Sequence, residues 1–380
     1  MDLELSDDEA ALRDNVRAVL AGICPVAVVR AVFEGEDPPA ELWTRMVELG
    51  WPALAIDETL GGLGLGFVEL ALVAEEFGRA VVPGPFLATT TQFAPAVREF
   101  GGPASRAKFL APVASDGKTG TLAIADDARW TGDAVRTTAV RRGDAWAVTG
   151  TKRAVVDGAT AEDVVVIARG EAGLGAFVVS GAAATASPRL TLDPTLLLAD
   201  LHLDNVVVDA ERVLAEPGAP GVESALACAL QESVVALAAM TVGACRQIFE
   251  ATLAYAKARE QYGRPIGSFQ ALKHRFVEMY VALERATALV YYAALAIAED
   301  IPSRALATAA AKAAAGDCQR LLAQDGLQLH GGIGFTWEHD LHFWLKRAKS
   351  GDALFGDAVA HRAALARLLA LVPAGSERVA

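Results

Sequence analysis

The amino-acid sequence predicts an α+β protein. It expects a helical N-terminal domain, a middle domain of antiparallel strands arranged as a barrel or sandwich, and a C-terminal four-helix bundle. Three changes of texture carry that expectation. Helical periodicity runs from Ser6 to about Val113, short β-branched runs broken by turn residues occupy about Gly117 to Leu214, and long Ala- and Leu-rich periodic segments fill about Val222 to Leu371. The implied domains are 1–114, 115–221 and 222–380.

At the head of the chain, Ser6 and Glu9 have the spacing of a capping box, and the apolar series Leu12, Val16, Val19 and Leu20 follows it. Glu41–Leu49 and Phe67–Phe77 read as two more amphipathic helices, separated by the turn Gly61-Gly62-Leu63-Gly64. In the middle zone, Asp144–Gly150 alternates after the turn Arg142-Gly143. Asp163–Ala168, Gly175–Val179 and Leu201–Val208 are apolar runs of strand length. Their spacing suggests an antiparallel barrel or sandwich. The last zone divides into Leu226–Glu260, Ser268–Glu299, Ser303–Leu329 and Asp340–Leu371. Helices this long draw their stability from packing an apolar face, and in succession they pack as an antiparallel bundle.

Of the 380 residues, 53% are hydrophobic, enough for more than one core. The net charge of −13 argues against general nucleic-acid binding, which needs a basic surface. An anionic ligand must therefore meet a local cluster of Arg, Lys and backbone N–H groups. No run of about 18 uninterrupted apolar residues occurs, so no membrane span is expected. Cys24, Cys228, Cys245 and Cys318 are scattered in apolar helical contexts without a CxxC pair, and read as free thiols of a reducing compartment. The acidic start Met1-Asp2-Leu3-Glu4-Leu5 does not read as a signal peptide, and a cytoplasmic location is expected.

Two constellations could carry chemistry. In Arg259-Glu260-Gln261-Tyr262-Gly263-Arg264-Pro265-Ile266-Gly267, two guanidinium groups sit near a helix end, suited to forked contacts with phosphate, and Tyr262 offers an aromatic face. Gln270 begins the next helix, where free N–H groups and the dipole favour anions. The same residues fit a plain helix–helix hairpin with solvated arginines. In Gln328-Leu329-His330-Gly331-Gly332-Ile333-Gly334-Phe335, glycines following a helix permit positive φ and close approach to a ligand, or simply cap the helix. Glu338-His339-Asp340-Leu341-His342 has a His-x-x-His spacing, but reads as a helix start capped by Asp340, and no metal site is expected.

Together, the segments Tyr255–His274 and Gln328–Phe335 resemble the paired signatures of the acyl-CoA dehydrogenase family. Trp337–Asp340 and Lys346–Lys349 are similar to actinobacterial members, and Gly50-Trp51 and Gly61–Gly64 resemble the N-terminal helical domain. The resemblance spans essentially the whole chain. It implies a helical domain, a β-barrel and a helical bundle, usually in a tetramer. It implies FAD, an acyl-CoA thioester substrate and an electron-transfer flavoprotein as acceptor. It also implies that Arg259, Tyr262, Gln270, Gln328, Gly331 and Gly332 hold the adenine and diphosphate half of a neighbouring subunit's FAD.

Three departures qualify the resemblance. Counting from Lys346–Lys349, the Glu that serves many members as α-proton base falls on Phe355, which takes no proton. Counting back from Arg259, the base position of other members falls on Ser233, with Glu232 as its neighbour; one residue turns a helical side chain by about 100°. In the strand zone, the family's Thr-Glu-Pro-Gly run is replaced by Ile124-Ala125-Asp126-Asp127. Its Trp-Ile-Thr run is replaced by Ala154-Val155-Val156, after a recognisable Gly150-Thr151-Lys152. Ala and Val offer the flavin ring neither a stacking surface nor a side-chain hydrogen bond. The losses fall on the flavin ring and the base, while the adenine-half residues remain. The expectation is a non-catalytic subunit that completes the FAD site of a homologous acyl-CoA dehydrogenase subunit, in fatty-acid or steroid side-chain β-oxidation. The alternatives are an active homotetramer using Glu232 as base and an FAD-free binding or scaffold homologue.

Overall fold

The capping box at the head of the chain forms. Ser6 Oγ accepts from the Glu9 N–H at 3.3 Å, and the Ser6 N–H donates to the Glu9 carboxylate at 2.7 Å. The computed structural model describes residues 4–371. Helices α1 (Asp7–Ile23), α2 (Val26–Phe33), α3 (Ala40–Glu48), α4 (Phe67–Ala80), α5 (Phe86–Ala88), α6 (Ala94–Phe100) and α7 (Pro103–Asp116) come first. Strands β1 (Gly120–Ala123), β2 (Thr138–Arg142), β3 (Ala145–Val156), β4 (Asp163–Gly170), β5 (Gly173–Ser180), β6 (Thr185–Arg189), β7 (Leu198–Val208) and β8 (Val213–Ala215) follow. Then come α8 (Val222–Ala258), the short strands β9 (Glu260–Gln261) and β10 (Arg264–Pro265), α9 (Gln270–Ala298), α10 (Arg304–His330), α11 (Leu341–Ala353) and α12 (Ala358–Leu368).

By contacts, the chain divides into one unit of Met1–Arg30, Phe67–Val82 and Val234–Ala380, and another of Ala31–Gly66 and Pro83–Ser233. In the first unit, α4 and α8 meet backbone to backbone. A Cβ on Gly78 would lie 1.9 Å from Met240 O, and one on Gly243 would lie 1.9 Å from Glu75 O, so both crossing positions require glycine. Buried Glu75 is satisfied there by Arg246 at 3.1 Å and Tyr291 Oη at 2.9 Å. The bundle differs from the expectation of four helices: its last segment is two, α11 and α12, broken at Leu354–Asp357. Asp357 Oδ1 accepts from the Ala360 N–H at 2.9 Å and starts α12.

In the second unit the sheet order is β6-β7-β3-β2-β4-β5-β8, with β1 on β4. Alternate residues of β4 enter different cores, Val165 and Ile167 one and Val164 and Val166 the other. The expectation of a wholly antiparallel barrel is corrected in part. β1 pairs with β4 in parallel, as β2 does at Thr138, and no ladder joins β6 to β8 among the described residues. The sheet is mixed, and closure is not seen.

By length and composition alone, α8 and α9 are apolar enough to cross a membrane, although neither holds an uninterrupted apolar run of that length. In α8, 72% of the most apolar window is buried inside the protein; in α9 the share is 39%. Val277, Tyr280 and Val281 stand exposed along one face of α9.

Candidate functional site

The two sequence constellations come together at one end of the first unit. Tyr255, in the last turn of α8, stacks on His330, the last residue of α10, with ring centroids 4.6 Å apart. The segment leaving α8 is a β9–β10 hairpin rather than a bare turn. Its two loop residues, Tyr262 and Gly263, both have positive φ, 54° and 75°, the twist that suits tight hairpins. Glycine or asparagine fits that first position; tyrosine is strained there. The hairpin leaves Tyr262 92% exposed. Gln270 starts α9 as expected, among N–H groups without helical partners.

Arg259, Gln270, Gln328 and Gly332 are exposed as well. Among the described residues, the side chains of Arg259, Tyr262, Gln270 and Gln328 make no hydrogen bond or ion pair with the rest of the chain. Arg264 lies over the Phe269 ring at 4.2 Å. Gly331 has φ 64° and ψ −143°, a conformation open to glycine alone. A Cβ on Gly332 would meet nothing within 4 Å, so packing does not demand glycine there. Two guanidinium groups, an exposed ring, two amides and an open glycine turn suit the phosphates and base of a nucleotide.

The candidate base positions are otherwise. Glu232 is buried in α8 and ion-paired with Arg98, which also reaches Glu99 at 3.3 Å. Burial opposes the Arg98 charge, but the Glu232 carboxylate prevails and raises the guanidinium above its usual range. The ion pair engages the Glu232 carboxylate with a cation of the chain itself, where a general base needs its carboxylate turned to the substrate. Arg98 and Arg106 also line a cavity of about 440 Å3 with Ile56, Leu60, Ala94 and Leu110. Ser233 Oγ donates to Thr91 O at 2.7 Å. Phe355 is buried at the α11–α12 break, with φ 57°, and its carbonyl accepts from His361 Nε2 at 2.9 Å. Burial pushes the His361 imidazole below its ordinary value, which favours the neutral ring that makes this bond.

The strand-side positions are filled from within. Lys152 and Asp126 form a buried pair at 2.8 Å, and Lys152 Nζ also donates to Ile124 O at 2.8 Å. Asp126 accepts from the Thr137 N–H at 2.6 Å and the Thr137 hydroxyl at 2.7 Å. Burial pushes the Lys152 ammonium down to about 8 against the pull of Asp126. Asp127, beside it, is half-buried and tied to Arg129. The β3–β7 register shifts between Lys152 and Val155, and Ala154 sits in that bulge with φ 50°. These residues do not fit a flavin ring: the polar atoms are spent on one another, and the rest are aliphatic.

Contrary to the expectation, Asp340 does not cap α11 through its side chain; it pairs instead with Arg30, and the Leu341 N–H donates to His339 Nδ1 at 3.2 Å. His342 Nε2 contacts Trp337 O at 3.2 Å, and its ring stacks on Trp337. Sequence reasoning missed Arg98, which lies 134 residues from Glu232. It also missed the Asp126–Lys152 pair, whose signal was a lysine inside an apolar strand.

Helical segments before and after a mixed sheet in chain order, with an exposed nucleotide-suited cluster between long C-terminal helices, describe an α+β protein with a candidate nucleotide site. Residues 6–117 match the acyl-CoA dehydrogenase N-terminal domain and residues 220–370 its C-terminal domain. The chain is 33% identical to the acyl-CoA dehydrogenase IpdE2 of Mycobacterium tuberculosis, over 92% of this chain and 93% of that one. Among solved structures it is similar to the ChsE4-ChsE5 complex from Mycobacterium tuberculosis, with TM-score 0.89 and 25% identity over 98% of this chain and 100% of that one. It is also similar to a variant of the Tcur3481-Tcur3483 steroid ACAD, with TM-score 0.85 and 29% identity over 96% and 98% of the two chains. The chain belongs to the acyl-CoA dehydrogenase family of FAD-dependent oxidoreductases.

Proposed function

We propose that this chain is the non-catalytic partner in a hetero-oligomeric acyl-CoA dehydrogenase. The ligand it serves is an acyl-CoA thioester of steroid side-chain or fatty-acid β-oxidation. Arg259, Tyr262, Gln270, Gln328, Gly331 and Gly332 hold the adenine and diphosphate half of the FAD of a homologous catalytic subunit. FAD supplies the hydride acceptor; this chain's residues bind and orient it. An electron-transfer flavoprotein is the acceptor and the cytoplasm the setting. The division at 1–114, 115–221 and 222–380 belongs to the same proposal.

The observation that carries this reading is the contrast in occupancy. The adenine-half side chains are exposed and unbonded within the chain, while Glu232 and Asp126 are each held by a cation of the chain itself. Two of the similar structures bear paired names, ChsE4-ChsE5 and Tcur3481-Tcur3483. The exposed apolar face of α9 at Val277, Tyr280 and Val281 suits burial in an assembly. Co-expression with a family member that carries Glu at the position of Phe355, followed by native mass measurement, tests the proposal. A mixed oligomer is expected; two separate homo-oligomers contradict it.

The second reading, an active homotetramer, is favoured by one fact: Glu232 is a buried carboxylate next to Ser233. In that case Glu232→Gln lowers turnover by about 10²-fold or more. In the partner-subunit account, turnover of the mixed oligomer is unchanged by it.

A further inference from the structure

Between α5 and α6 the chain forms a π-helix, Thr89–Phe93. Such wide turns are rare and recur at functional sites. Thr89, Thr90, Thr91 and Gln92 are all buried, four polar side chains in succession, and the next turn supplies Ala96 and Val97 to a hydrophobic core. Two of the four have structural roles. Thr89 Oγ1 accepts from the Gly120 N–H at 3.2 Å, and Thr91 Oγ1 donates to Leu87 O at 2.6 Å. The other two have none. The Thr90 hydroxyl and both amide atoms of Gln92 find no hydrogen-bond partner among the described residues, although the residues are 3% and 1% exposed. Buried polar groups without partners destabilise a fold, and few are tolerated. Valine and leucine would fill the same volumes without that cost.

Their placement points to a ligand. Thr91, which they flank, receives the Ser233 hydroxyl on its carbonyl, and the same turn of α8 carries Glu232 to Arg98. The orphaned groups therefore lie one residue on either side of the contact between this turn and the turn of α8 that carries Glu232. A plain hydrocarbon there would leave all three atoms unsatisfied. A ketone or hydroxyl oxygen would accept from the Gln92 NH2 and the Thr90 hydroxyl, and a hydroxyl would also donate to the Gln92 carbonyl.

We propose that Thr90 and Gln92 form a polar subsite for an oxygen function on the acyl group, so that this chain takes hydroxylated or keto acyl-CoA thioesters in preference to unsubstituted ones. The inference rests on the acyl-thioester reading above, not on the identity of the catalytic subunit. A site built to hydrogen-bond an oxygen rejects the analogue that lacks it, because its own polar groups then stay unpaired.

Calorimetric titration of the full chain, in the oligomer in which it purifies, tests this with hexanoyl-CoA and its 4-hydroxy, 5-hydroxy and 5-oxo counterparts. At least one oxygenated thioester is expected to bind about tenfold or more tighter than hexanoyl-CoA. Gln92→Leu is expected to bring that ratio to near unity while raising Tm, since it removes an unsatisfied buried amide. Thr90→Val is expected to reduce the ratio in part, and decides the matter if Gln92→Leu does not fold. A wild-type chain that binds all four thioesters equally overturns the subsite and leaves the acyl-CoA reading standing. A chain that binds none overturns both. A Gln92→Leu protein of lower Tm with an undiminished ratio assigns Gln92 to the fold and overturns the proposal.

Discussion

The loops at 259–270 and 328–335 and the strand segments at 124–127 and 152–156, which the family resemblance implies for the two halves of an FAD site, are physically opposite. In the loops, the side chains of Arg259, Tyr262, Gln270 and Gln328 form no hydrogen bond among the described residues, and a Cβ on Gly332 would meet nothing within 4 Å. In the strands, Asp126 and Lys152 satisfy one another, Thr137 and Ile124 O complete their shells, and Val155 and Val156 are buried. Side chains of the first kind could be replaced at almost no cost to folding. The second kind is bound up with folding itself. The difference teaches that the loops are equipped for something outside the chain, while the strand segment has been turned to the chain's own stability.

Single substitutions can break that comparison. The largest effect is expected at the buried pair: Lys152→Met leaves Asp126 uncompensated and should lower unfolding free energy by about 3–5 kcal/mol. Lys152→Met with Asp126→Asn should recover most of it, as read by urea unfolding; a small loss in the single variant would mean the segment is not structural. Next, Arg259→Ala should leave the stability of the chain within about 0.5 kcal/mol. It should weaken FAD retention in the mixed oligomer by about 1.5–3 kcal/mol, measured by flavin release on dilution. A smaller effect is expected at Tyr262, where Asn suits the positive φ: Tyr262→Asn should stabilise the chain by up to about 1 kcal/mol while weakening FAD binding.

A pH slope is expected as well. Burial pushes the Lys312 ammonium from 10.5 down to about 7, where it donates to Gly351 O and Asp352 O. Between those two values the unfolded chain holds more protons than the folded one, so stability rises with pH through that window. Lys312→Met removes the contribution, and the wild-type advantage over it should grow from the lower to the upper value; a constant difference would refute the assignment.

Much of the fold was legible because local signals agreed with the tertiary outcome. The Ser6–Glu9 box starts α1, and short apolar runs of strand length mark β4, β5 and β7. The break at Leu354–Asp357 was passed over although its signals were present, a glycine at the end of one helix and an Asp at the start of the next. The parallel β1–β4 ladder was not legible, since pairing between Thr121 and Val164 depends on the whole sheet. Nor was the β9–β10 hairpin, because Tyr262-Gly263 stands where asparagine-glycine is the usual signal. For the site, residue types at the two motifs were readable, and their meeting through Tyr255 and His330 needed the structure. Arg98 on Glu232 joins distant segments, and no periodicity could announce it.

Flavin content tests the central claim most directly. The chain purified alone and the chain co-expressed with a base-carrying homologue are compared by absorbance at the flavin bands and by acyl-CoA oxidation. The account predicts little or no FAD and no oxidation for the chain alone, and stoichiometric FAD with turnover in the mixed oligomer. Stoichiometric FAD and acyl-CoA oxidation by the chain alone would contradict it.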